Sequence, residues 1–332
     1  MDFLDIFADA TRSALGANAA ILALLAIGLN VHFGYTGLLN FGQVGFMMLG
    51  AYGTAVTVAT WGGPFWLGII VSILACTAFA FALGLPTLRL RSDYFAITTI
   101  AAAEILRFLI RARASVDLTG GPFGLQGATA GFRDVNPYPD GWDLRWGNLA
   151  FTNEQLWVMT VGWTLVALFT MLVALMVRSP WGRVLKGIRE DDDAASSLGK
   201  NVVSFKMQAL VIGGVIGGFA GIVDLLDQGG VDPVGFKPEV TFFAYTALIL
   251  GGAATKFGPI IGAMLFWFIR QGVESFFRDL ALQDWPPAWL TDFVSGREGL
   301  LSITVMGVAL VLLMIFRPQG MFGNREELAL DA

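Results

Sequence analysis

SPWGRVLKGIREDDDAASSLGKNVV, residues 179–203, is the longest strongly charged interruption in a chain otherwise built of apolar blocks. It sets Arg183, Lys186, Arg189 and Lys200 against Glu190, Asp191, Asp192 and Asp193. A run this charged cannot sit in hydrocarbon, so it reads as a loop on one membrane face. It also reads as folded. Val184 or Leu185, Ile188, Ala195 and Leu198 fall near one helical stripe, the spacing of a surface helix with a small apolar face. The acids at 191–193 suit the positive end of a short second helix. Gly199 is placed to end that helix, with Lys200 just beyond. Two readings stand: a solvated connector, or an Ala/Leu face ringed by charge that docks a partner.

The blocks on either side set the class. Hydrophobic residues are 55% of the 332 and charged residues 14%, where a soluble domain carries roughly a quarter charged. Mean hydropathy is +0.67. Apolar blocks at 18–31, 44–60, 65–85, 94–110, 156–177, 205–223, 241–250, 260–277 and 300–316 predict an all-α polytopic membrane protein of about nine transmembrane helices. The whole chain, 1–332, reads as one transmembrane domain. Residues 112–155, dense in Gly, Pro and Trp, read as an external loop. With 179–203 taken as cytoplasmic, basic residues favour that side slightly, which puts the N-terminus outside and the C-terminus inside. The N-terminal segment is acidic and lacks the basic start of a signal peptide, so it is expected in the mature chain, lying on the membrane surface.

Composition also excludes. The net charge of −5 is spread over loops, and no basic block with interleaved aromatics suggests nucleic acid. One cysteine, Cys76, and one histidine, His32, leave no disulfide framework, no thiolate metal site and no multi-histidine site within the chain. No Walker A, H-E-x-x-H or G-x-S-x-G pattern occurs. A protein without catalytic residues or cofactor is expected, with membrane lipid as its surroundings.

Polar residues inside the apolar blocks are the candidates for function. HFGYTGLLNFGQ, residues 32–43, breaks the first block with glycines and with Tyr35, Asn40 and Gln43. Non-helical backbone at membrane depth lines a wet cavity or packs on protein, and discontinuous helices mark transport sites. A plain turn is the alternative. The short block 241–250 followed by GGAATKFGP, which opens on Gly251 and Gly252, is a second candidate break. Glu104 and Arg107 stand three apart inside a block, either a functional acid or an internal ion pair that fixes packing. Arg270 and Glu274 share a helix face in the same way. GGVIGGFAG, residues 213–221, reads as a close helix-packing stripe. Asp224 and Asp227 are placed in a polar stretch, 224–240, beyond the sixth block.

GLNVHFGYTGLLNFGQVGFMMLGAY (28–52) resembles the first signature of the permease subunits of branched-chain amino-acid ABC importers. SDYFAITTIAAAEILRFLI, LTGGPFGL, SPWGRVLKGIREDDDAASSLGKNVVSFK, LILGGAATKFGPIIGA and IFRPQGMFG are similar to later blocks of that family, in order. The TGGP-G-L block and the RPQG ending resemble its M-type (LivM-like) member. The resemblance implies import of branched-chain or related amino acids, across a bacterial inner membrane, with ATP hydrolysed elsewhere. Related permeases serve urea, short amides or aromatic acids. It also implies partners: a companion H-type permease, two cytoplasmic ATPases and an external substrate-binding protein. Arg183, Lys186, Ile188, Arg189, Glu190, Ala195, Leu198 and Gly199 would then form the element that seats on an ATPase. Tyr35, Asn40, Gln43, Glu104, Gly251 and Gly252 are candidates for the translocation path. Two departures stand out: Asn40–Phe41–Gly42–Gln43 where the family often has S-L-G-H, and the acids Asp224 and Asp227. An ion-coupled secondary transporter is the competing class, with Glu104 as its one candidate for an ion site.

Overall fold

Residues 18–29 are apolar on every side, and a helix of that kind must be buried all round. In the computed structural model, which describes residues 3–90, 92–139, 141–146, 149–282, 288–317 and 320–322, this segment lies at the centre. Helix α1 (Phe3–Leu15) leads into α2 (Ala17–Leu29), which runs on through a π-helical turn, Asn30–Gly34. Helix α3 (Gln43–Ala55) ends in a second π turn, Val56–Thr60, followed by α4 (Phe65–Thr87) and α5 (Ser92–Arg111). The next segment carries α6 (Val116–Thr119), β1 (Leu125–Gln126), α7 (Ala130–Arg133), β2 (Leu144–Trp146) and β3 (Leu149–Phe151). Helices α8 (Asn153–Arg178), α9 (Pro180–Glu190), α10 (Asp192–Ser197) and α11 (Val202–Gln228) come next. The chain continues with β4 (Gly230–Val231), α12 (Glu239–Gly251), α13 (Gly258–Ala281), α14 (Ala288–Val294) and α15 (Glu298–Phe316).

Each of the nine apolar blocks holds a helix. Six are long and apolar enough to cross a membrane among the described residues. Helix α12 is shorter, at 13 residues. Burial separates centre from rim: 83% of the α2 window and 72% of the α11 window are buried, against 12–33% in the other four. The exposed rim is apolar, with Trp66, Leu74, Ile97, Leu175 and Val311 among the large residues left uncovered. A surface of that kind belongs against lipid, which makes this a multi-pass membrane protein.

Helices α3 and α11 approach through glycine. A Cβ on Gly50 of α3 would collide with the backbone of Gly218 in α11, and one on Gly221 would collide with the carbonyl of Met47. The stripe in residues 213–221 therefore packs helix on helix, as expected. Helix α11 starts earlier and ends later than the apolar block suggested. Leu225 and Leu226 are buried and extend its core face, so Asp224 and Asp227 sit in its last turns rather than in a loop. Gly229, at φ 73°, ends it. Helix α4 likewise runs one residue past Pro86, to Thr87, so the proline removes a single donor from its last turn.

Strand β1 pairs antiparallel with β4, tying the 112–152 segment to the C-terminal end of α11. Helices α9 and α10 lie against its other end. At 1.5 Å per residue, the 27 residues of α11 separate the two by about 40 Å. Helix α1 lies along α13, with Phe7 edge-on to Phe268 at 5.7 Å and Asp9 accepting from Arg278 at 3.1 Å. Phe3 and Leu4 in its first turn are exposed.

Candidate functional site

The break between α2 and α3 places backbone at membrane depth, where every N–H and C=O needs a partner inside the protein. Side chains from α5, from α12 and from the break itself supply them. The N–H of Phe41 donates to Thr99 Oγ1 at 3.0 Å, that of Gly42 to Asn40 Oδ1 at 2.9 Å, and that of Val44 to Thr241 Oγ1 at 3.0 Å. Asn40 Nδ2 donates to both His32 Nδ1 and Gln43 Oε1, each at 3.1 Å. His32 Nε2 faces the Leu210 carbonyl at 3.2 Å, which can only accept, so the ring carries its hydrogen on Nε2. Gln43 Nε2 donates to the Gly213 carbonyl at 2.9 Å, and Tyr245 Oη to the Asn40 carbonyl at 3.2 Å. Asn40, Gln43 and His32 are fully buried and Tyr35 nearly so. The structure thus brings two of the path candidates, Asn40 and Gln43, together with His32 into one packed joint of α2, α3, α11 and α12.

The second break meets the first. Asn30 Nδ2 donates to the Thr255 carbonyl at 2.8 Å, and its Oδ1 accepts from the N–H of Ala254 at 2.8 Å. Gly252, at φ 107°, ends α12, and the freed carbonyls of Leu250 and Gly251 accept from Met321 and Phe322 at 3.1 and 3.2 Å. Gly251 packs against Gly258, where a Cβ would not fit.

Helices α9 and α10 occupy the charged segment. Pro180 sits in the first turn of α9, and the Asp191 carboxylate caps α10, accepting from Asp193 and Ala194 at 2.8 and 2.9 Å. Gly199, at φ 75°, closes α10: its N–H reaches the Ser196 carbonyl at 2.9 Å and that of Lys200 the Ala195 carbonyl at 3.2 Å. The expected apolar stripe divides. Leu185, Ile188 and Ala195 are buried in the protein's own interior, whereas Leu198 is 81% exposed. The extended backbone of Asp191 (φ −155°, ψ 109°) separates α9 from α10, and α10 ends at Ser197, so Leu198 stands at its cap beyond the stripe. Arg183, Lys186 and Glu190 face outward. Arg189 reaches back instead, its Nη1 donating to the Gly34 carbonyl at 2.5 Å. That bond links the charged pair to the π turn of α2.

Glu104 stands apart, held by Arg107 of its own helix through two bonds of 2.9 and 2.7 Å. Arg270 and Glu274 form no ion pair among the described residues. The Arg270 guanidinium lies over Trp267 at 4.8 Å and Phe243 at 5.7 Å, and its Nε is buried without a hydrogen-bond partner. It lines a cavity of about 560 Å³ at the β4 end of α11, together with Asp224, Asp232, Gln126 and Phe266. Sequence reading noted Arg270 only as a neighbour of Glu274. Nothing in the local pattern says that α13 brings it opposite Asp224.

Two interrupted helices with satisfied backbone, a glycine-packed centre and a lipid-facing rim are the frame of a membrane permease. The chain belongs to the family described as branched-chain amino acid transport system / permease component, whose model matches residues 13–305. It is LivM-like. The high-affinity branched-chain amino acid transport system permease protein LivM of Escherichia coli K12 is 31% identical over 313 residues, covering 91% of this chain and 67% of that protein. The probable LivM of Methanocaldococcus jannaschii is 22% identical, covering 91% and 90%. The nucleoside ABC transporter permease protein NupC of Lactococcus lactis is 26% identical, covering 69% and 70%.

Proposed function

We propose that the chain forms half of the membrane pathway of an ABC importer for branched-chain or related amino acids. Two cytoplasmic ATPases drive it, an H-type permease pairs with it, and an external binding protein delivers substrate. The helical blocks cross a bacterial inner membrane, the 13-residue α12 together with the chain that leads into it, with the N-terminus outside. The 112–152 segment receives the binding protein. Helices α9 and α10 seat on an ATPase through Leu198 and the outward charges Arg183, Lys186 and Glu190. One observation carries the coupling: the Arg189–Gly34 bond, because it joins the ATPase-facing element to the break in the central helix. A push on α9 then biases two arrangements of that break.

The ion-coupled reading needs an unpaired acid at membrane depth, and the bidentate bond to Arg107 speaks against Glu104 in that role. The test is leucine uptake by proteoliposomes holding the full complex and its binding protein. Uptake is expected to require ATP and to survive Glu104→Gln with its pH and sodium response unaltered. Uptake that runs on a sodium or proton gradient without ATP would overturn the proposal.

A further inference from the structure

The cavity at the β4 end of α11 holds charges that the fold itself leaves uncompensated. Arg270 enters from α13, Asp224 from α11 and Asp232 from the turn after β4. Although they line one cavity, no oxygen of either acid lies within ion-pair distance of the guanidinium. Trp267 and Phe243 hold the guanidinium by its faces, which leaves its edge and its hydrogens for another acceptor. Asp232 is fixed through Oδ1, which accepts from Val234 and Gly235 at 2.7 and 3.2 Å. The wall between the charges is aromatic, made by Phe236, Phe243 and Phe266. A volume of about 560 Å³ falls within the roughly 300–1,000 Å³ of small-molecule sites.

We infer that this cavity is a seat for a zwitterionic α-amino acid. The Arg270 guanidinium takes the carboxylate, Asp224 with Asp232 takes the ammonium, and the three phenylalanines take an aliphatic side chain. An arginine fork matches a carboxylate with two parallel bonds, and an ammonium offers three donors to acids on the opposite wall. A neutral amide or urea would leave both charges unmatched, and an aromatic acid would leave the carboxylates unmatched. The inference rests on the amino-acid reading above and narrows it to zwitterions. It also makes the chain itself, and not only a binding protein, a point of selection.

The test uses Gln126→Cys in the full complex, reconstituted without binding protein and labelled with a membrane-impermeant maleimide. Gln126 lines the cavity, and the native Cys76 is 1% exposed. Leucine is expected to slow labelling, while leucinamide and 4-methylpentanoate, each lacking one charge, leave it unchanged. Arg270→Gln and the isosteric Asp224→Asn are each expected to raise the half-protecting leucine concentration at least about tenfold. Asp143→Asn, exposed and outside this cavity, should keep the parent value. Equal protection by leucinamide, or unchanged half-protection in both variants, would overturn the seat. Leucine import by the same vesicles, given binding protein and ATP, separates the two claims. Import without protection refutes the seat alone, and protection without import refutes the importer reading alone.

Discussion

Asn40 shows what one side chain must do when a helix is broken inside a membrane. Its amide satisfies His32, Gln43 and the Gly42 N–H at once, all in a fully buried setting. Asn40→Ala leaves three buried polar groups without that partner, at about 1–3 kcal/mol for each left unsatisfied. The expected outcome is a clear drop in melting temperature of the purified complex, larger than for Thr11→Ala, whose hydroxyl bond is exposed. Glycine gives a second prediction in opposite directions. Gly50→Ala drives a methyl into the backbone of Gly218, so it should lower the yield of folded protein in fluorescence-detected gel filtration. Gly187→Ala meets nothing within 4 Å on exposed helix α9, so it should stabilise, by up to about 1 kcal/mol.

At the scale of elements, α9 is a lever only if it is attached to something. Its attachment is Arg189, and the glycine beneath it, Gly37 at φ 74°, lets the arginine stem pass at 3.5 Å from where a Cβ would stand. Arg189→Ala should leave the complex assembled with ATP hydrolysis near the parent rate, while leucine uptake falls at least about tenfold. Comparing hydrolysis and uptake on the same vesicles checks this, and parallel loss of both would point to damaged assembly instead. Element type was legible in the sequence because apolar block length and the caps are local signals: Asp191 and Gly199 mark both ends of α10 before any fold is known. Facing was not legible. The spacing of Ile188, Ala195 and Leu198 assumes one uninterrupted helix, whereas the extended Asp191 parts Ile188 from the other two and α10 ends at Ser197, one residue before Leu198. The joint of Asn40 and Gln43 was visible as polar residues in an apolar setting, but its partners Thr99, Thr241 and Gly213 come from distant segments. Arg270 was hidden for the same reason: its significance lies in Asp224, 46 positions away.

Across the whole molecule, the two ends of α11 carry different chemistry. One end holds the exposed charges of α9 and α10, and the other holds the strand pair, the 112–152 segment and the cavity. A helix of about 40 Å between them is longer than the ~30 Å hydrocarbon core, and we propose on that ground that the two ends belong to opposite aqueous faces. Val135, 70% exposed, and Leu198, 81% exposed, report on those faces. In Cys76→Ser background, Val135→Cys is expected to react with an impermeant maleimide on intact cells. Leu198→Cys should react only after the membrane is opened. Labelling of both from one side would mean that α11 does not cross, and the link from α9 through Gly34 to the central break would then lie within one face and could not couple events across the bilayer.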